Sequence, residues 1–128
     1  MSSLSQGIIH GDTHPYNHFY SKLNKKISFF DFELSGYGYK VYDLAIFKWN
    51  QVLHQRKMSN NNTQMLIDGY LSVNKINRYE LELINLFVKI KHLFALEANL
   101  SYPEISIHQD FDYWKKYLNI NLERALET

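Results

Sequence analysis

The stretch IIHGDTHPYN, Ile8 to Asn17, runs from two apolar residues straight into His, Asp, His and Asn. Asp12 and Asn17 stand five residues apart, and Asp31 follows fourteen residues after Asn17, at the end of the aromatic-rich run KISFFDF. A chain that folds back on itself between these points brings the loop before its first strand next to the end of its second. Asp12, Asn17 and Asp31 then converge. Two carboxylates and an amide oxygen are hard donors, suited to Mg²⁺ rather than zinc, and such an ion keeps positions for water and phosphate oxygens. The chemistry this pattern could serve is phosphate chemistry. Against it stands the plainer alternative that Asp, Asn and Pro are ordinary turn formers.

The elements that must position these residues can be read from periodicity. Gly7 to Ile9 forms a brief strand, and His18 to Tyr20 with Lys26 to Phe32 forms an antiparallel hairpin across the polar connector SKLNKK. SGYGY, Ser35 to Tyr39, is expected to be a flexible break because of its paired glycines. Apolar spacing then turns helical through YKVYDLAIFKWNQVLHQ, and SNNN punctuates before a helix from about Thr63 to Val73. RYELELINLFVKIKHLFALEANL reads as one helix, roughly six turns at about 3.6 residues each. Its apolar residues exceed one stripe, which predicts a place in the middle of a bundle. Pro103 stops it, and FDYWKKYLNINLERAL closes the chain as an amphipathic helix. The fold class is α+β, mainly α: a small antiparallel β-hairpin at the loop, followed by about four helices. The expected organisation is one domain over 1–128, with the loop and hairpin in 1–38 and a helical bundle in 39–128.

HGDTHPYN followed by ISFFDFE resembles the catalytic loop and metal-binding segment of the aminoglycoside phosphotransferase family, kinase-like enzymes related to choline and homoserine kinases. GYGYKVYDLA is similar to the segment leading that family into its next helix, and weaker similarity runs to the C-terminus. The resemblance implies part of a protein-kinase-like C-terminal lobe that transfers the ATP γ-phosphate to a small-molecule hydroxyl. It implies Asp12 as the catalytic aspartate that takes or orients the hydroxyl proton, and Asn17 and Asp31 as Mg²⁺ ligands. Asp43 would support the loop from behind, and His10 and His14 would orient it rather than bind metal. Glu33 is a possible auxiliary ligand. Tyr16 stands where the family commonly has glycine and could crowd the phosphate site.

The same resemblance implies a nucleotide-binding lobe with a phosphate-covering loop and a paired lysine, and only eleven residues precede Asp12. The expectation is therefore weak binding of ATP and Mg²⁺, and little activity from these 128 residues alone. A non-catalytic interaction module is the alternative, with homodimers or larger assemblies formed through exposed apolar surface. IIHGDTH also resembles the Asp-x-His opening of metallophosphoesterases, but the later signatures of that class do not follow. For the acceptor, acids such as Glu97, Glu104, Asp110 and Asp112, or the aromatics Tyr102, Phe111, Tyr113 and Trp114, are open possibilities.

Bulk properties narrow the setting. A formal charge of +1, from 14 basic and 13 acidic residues, leaves no electrostatic footprint for nucleic acid or anionic lipid. The absence of cysteine excludes disulfides and thiolate metal sites and fits a reducing compartment. No apolar run is long and uncharged enough to span a bilayer, and the N-terminus lacks the marks of a signal peptide. A soluble, cytoplasmic protein is expected.

Overall fold

The segment read as a flexible break is a strand. The computed structural model describes residues 4–54, 59–101 and 111–126. In it Gly36–Tyr39 (β4) pairs antiparallel with Gln6–Ile9 (β1), Ile9 opposite Gly36 and Gly7 opposite Gly38. A Cβ on Gly38 would lie 2.6 Å from Ile9 Cδ1. Glycine there lets the Ile9 side chain lie across the partner strand, so it marks a close approach rather than a loose link.

The expected hairpin forms. His18–Ser21 (β2) pairs antiparallel with Lys26–Phe29 (β3), His18 opposite Phe29 and Tyr20 opposite Ile27. Asn24 Oδ1 accepts from the Lys26 N–H at 3.2 Å, and Lys25 takes a left-handed φ of 53° to complete the turn.

Five α-helices follow among the described residues: Val41–Leu53 (α1), Ser59–Val73 (α2), Arg78–Glu82 (α3), Ile84–Ser101 (α4) and Phe111–Leu126 (α5). The class is α+β and mainly helical. The helix expected to run unbroken from Arg78 divides at Leu83. There the N–H bonds back to Glu80 O, three residues away, at 3.1 Å, the tightened turn that ends a helix. Asn77 caps α3 in a reciprocal box: its side chain accepts from the Glu80 N–H at 2.9 Å, and the Glu80 carboxylate accepts from the Asn77 N–H. Nor is α4 sheathed all round, since Leu86, Leu93 and Leu100 are each more than half exposed. Pro103, Tyr102, Glu104 and Asp110 lie outside the described residues.

The chain divides into two compact units, Met1–Phe87 and Val88–Thr128. The first is cored by one face of α1, where Val41, Leu44, Ala45, Ile46, Trp49 and Leu53 are buried, together with Ile84 and Phe87. Tyr39 and Tyr42 set their rings 6.0 and 6.1 Å from that of Phe87. In the second unit, the buried His92 and Asn121 meet at 2.7 Å, tying α4 to α5. Among the described residues, no helix is long and apolar enough to cross a membrane.

Candidate functional site

The loop between β1 and β2 carries Asp12, and its path is set by α1. Asp43 lies in the first turn of α1, and its carboxylate takes two consecutive loop amides. Oδ2 accepts from the His10 N–H and Oδ1 from the Gly11 N–H, both at 2.9 Å. The Thr13 hydroxyl returns to the Asp43 carbonyl oxygen at 2.6 Å. Three contacts from one residue thus bracket Asp12. Gly11 makes the bend at φ 82°, and a Cβ there would collide with the Leu34 carbonyl.

Beyond Asp12 the chain makes a single 3-10 turn, Pro15–Asn17, which delivers the buried Asn17 back beneath the aspartate. Asn17 Nδ2 donates to Asp12 Oδ2 and to the Asp12 carbonyl, each at 3.0 Å. His14 Nδ1 accepts from the Tyr16 N–H at 3.2 Å, so its proton sits on Nε2, which faces Asp12 Oδ2 at 3.2 Å. One oxygen of Asp12 therefore receives two side-chain donors. His10 is fixed by the same logic. Its Nδ1 accepts from the Asp12 N–H at 3.3 Å, which leaves Nε2 to donate to Phe30 O at 3.0 Å, with the ring 4.7 Å from that of Phe32.

That last bond reaches the segment carrying Asp31. Phe30 donates its N–H to Asn17 O at 3.1 Å and accepts from His10, so the residue before Asp31 is pinned from both sides to the loop. Asp31 is exposed, at a left-handed φ of 62° that aspartate tolerates better than most residues. The structure thus joins Asp12, Asn17, His10, His14 and Asp43 by direct contacts, and attaches Asp31 through its neighbour's backbone. Tyr16 is 63% exposed, and its ring meets those of His14 and His54 edge-on.

Tyr42, next to Asp43 at the start of α1, is a residue that sequence reasoning passed over. Burial, and then the charges of Asp12 and Asp43, push its hydroxyl above the ordinary tyrosine range. Its one sequence signal is its place next to Asp43. Tyr70 is raised likewise, by burial first and then by Asp43 and Glu80.

The donor set suits a small hard cation. Asn17 spends its nitrogen on Asp12, which leaves Oδ1 as the metal-capable atom, and Asp31 offers an exposed carboxylate. Among the described residues no group of three His, Cys, Asp or Glu stands together as a metal cluster. Any ion here would rest on two protein ligands plus water and substrate oxygens, the usual arrangement for Mg²⁺.

An aspartate fixed by a nearby asparagine thus sits on a loop tied down by a helix acid and joined through the backbone to the segment of a second aspartate. The chain belongs to the phosphotransferase enzyme family, whose model matches residues 2–70, reaching the last turn of α2. It is also 43% identical over 49 residues to an uncharacterized protein of Deinococcus radiodurans, a match covering 38% of this chain and 14% of that relative. No solved structure matches the chain.

Proposed function

We propose that this chain carries the acceptor-activating and metal-holding half of an ATP-dependent phosphotransferase of the aminoglycoside phosphotransferase type, acting on a small-molecule hydroxyl. The observation that carries the proposal is the contact between Asn17 Nδ2 and Asp12 Oδ2 at 3.0 Å, in a loop bonded to the residue before Asp31. In this reading residues 1–38 are the catalytic loop and metal-binding hairpin, residues 39–128 are the helical part of a kinase-like C-terminal lobe, and the setting is cytoplasmic. Asp12 accepts or orients the acceptor's proton, while His14 and Asn17 hold its carboxylate in one orientation. Asp43 and Thr13 fix the backbone on either side of it. Asn17 and Asp31 would hold Mg²⁺, which neutralises charge on the nucleotide phosphates when bound. Uncoordinated positions in such a site belong to water and phosphate. The metallophosphoesterase alternative gains no support, since His14 turns both ring nitrogens to its own loop.

Mn²⁺ in place of Mg²⁺ tests this through its paramagnetism. In a ¹H–¹⁵N NMR spectrum it is expected to broaden the amides of residues 12–17 and 30–32 first. Asp31→Asn should remove that selectivity while leaving the remaining spectrum in place. Broadening that ignores both this substitution and Asn17→Ala would sink the assignment.

A second role, self-association, is favoured by one observation. Ile8 and Tyr37, a cross-strand pair of the β1–β4 ribbon, are 82% and 74% exposed, and the α4 leucines add to the uncovered apolar surface. A two-stranded ribbon alone is marginal in water. Sedimentation velocity at tens of micromolar is expected to show a homodimer or larger species, reverting toward monomer in Ile8→Lys/Tyr37→Lys. A monomer throughout would remove this role.

A further inference from the structure

The last rung of the β2–β3 hairpin pairs Ser21 with Lys26, and Lys22, Leu23, Asn24 and Lys25 make the turn between them. The phosphotransfer reading does not use this turn. Leu23 stands in it 97% exposed, and every residue from Lys22 to Phe30 is exposed. We propose that the hairpin tip docks on an anionic lipid bilayer. Leu23 enters the headgroup boundary, and Lys22, Lys25 and Lys26 pair with the lipid phosphates and carboxylates.

Charge is the first observation. Between Asp12 and Asp31 the chain holds three lysines and no acid, and all three lysines fall within Lys22 to Lys26. The formal charge of +1 averages over the whole chain and conceals this local excess. Among the described residues, the ion pairs are His14 with Asp12 and Arg78 with Glu82, so these lysines keep their charge for a partner. A basic cluster of this kind is drawn to an anionic surface. The second observation is the apolar apex. Behind Leu23 the cross-strand pair Tyr20 and Ile27 is 50% and 56% exposed, and Phe19 is 64% exposed. Nucleic acid phosphates offer nothing to a leucine, and a protein partner would need a pocket cut to fit it. A bilayer accepts a protruding apolar side chain without a matching shape, beside cations that stay at headgroup level. The third observation is that the tip is built in advance. The strands pair in register, and Asn24 Oδ1 accepts from the Lys26 N–H, so docking has little backbone left to order.

The other end of the hairpin meets the loop of Asp12. Phe30 donates to Asn17 O and accepts from His10, so a docked tip sets how that loop is oriented to the lipid surface. Four strand residues at about 3.3 Å each hold the loop roughly 13 Å behind the turn. The inference holds whatever chemistry Asp12 performs.

Flotation of the full chain with vesicles tests it. Binding is expected to phosphatidylcholine vesicles holding about 30 mol% phosphatidylserine and not to phosphatidylcholine alone. It should fall away as salt rises from about 0.1 M to about 0.5 M. Each lysine replaced by glutamine should weaken binding about fivefold, and Leu23→Ser about tenfold. The Leu23→Trp variant should bind and be quenched by brominated acyl chains, whereas the parent, with Trp49 buried in α1, should not be quenched. Equal binding to uncharged vesicles would overturn the proposal, as would Leu23→Ser binding at parental strength. Tighter capture by a single-stranded oligothymidylate, lost in the lysine variants, would assign the tip to nucleic acid instead. A Leu23→Ser chain that loses self-association but keeps vesicle binding would assign it to a second copy. The Mn²⁺ experiment reads residues 12–17 and 30–32, so either result can fail without the other.

Discussion

Asp43→Ala is expected to be among the most destabilising single changes in the N-terminal unit, and its damage should centre on the loop that carries Asp12. The substitution removes the acceptor of two consecutive amides, His10 N–H and Gly11 N–H, and both residues are buried. Leaving a buried donor unpaired costs about 1–3 kcal/mol, so the pair predicts a loss of roughly 2–6 kcal/mol in urea unfolding. Asp43→Asn keeps one carbonyl oxygen for two donors and should fall about halfway. Thr13→Val, which removes a single hydroxyl bond, should cost about 1 kcal/mol. The discriminating measurement is amide hydrogen exchange. His10 and Gly11 should lose protection in Asp43→Ala far more than residues of α5 do. Unchanged exchange at His10 and Gly11 would show that Asp43 is merely a helix N-terminal acid.

This anchoring role was only partly legible in the sequence. Acids in the first turn of a helix are favoured by the helix dipole whatever they touch, so Asp43 carried an ordinary explanation beside the functional one. The β2–β3 pairing between Asn17 and Asp31 could be read because a hairpin is a local device: a short polar connector between two aromatic runs fixes which residues return to which. Glycine misled the reading of β4. Paired glycines signal chain freedom when nothing is known of neighbours, and Gly38 proves to be small because Ile9 lies over it. The split at Leu83 was hidden for a different reason. Apolar period continues through it undisturbed, and the break lies in a backbone turn that periodicity does not record. Tyr42 was hidden because its burial and the nearness of Asp12 arise only in three dimensions. Long-range partners were illegible generally, and Glu80 is the clearest example.

Glu80 reads in sequence as one more charge on a helix, yet it is fully buried and holds the start of the chain. Ser5 donates its N–H to Oε2 at 2.8 Å and its hydroxyl to Oε1 at 2.6 Å, while Asn77 Nδ2 donates to Oε1 at 2.8 Å. Ser5 in turn offers its carbonyl to the Lys40 N–H at 3.1 Å, at the junction of β4 and α1. The carboxylate therefore fastens the entry to β1, and through it the ribbon that leads into the Asp12 loop. Burial alone would raise its pKa, but the bonds from Ser5 and Asn77 and the nearby Lys40 charge outweigh it and hold the carboxyl below the ordinary value of 4.5. Because the folded pKa is depressed, the stabilisation is fully present above the unfolded value, near pH 4.5, and is lost as pH falls through the folded pKa.

Glu80→Ala is expected to cost on the order of 3–6 kcal/mol at neutral pH, taking the two bonds from Ser5 alone at about 1.5–3 kcal/mol each. Glu80→Gln should recover little, since its NH₂ group would face either the Ser5 N–H or the Asn77 donors. Both variants should show a flatter fall in stability below pH 4.5 than the parent, because the depressed carboxyl is gone. Urea unfolding from pH 3 to 7 reads both effects together. Parent and Glu80→Gln curves that stay parallel across that range would mean that the carboxylate's charge does not hold the strand. Tight packing of a neutral side chain would then be the better account of its burial.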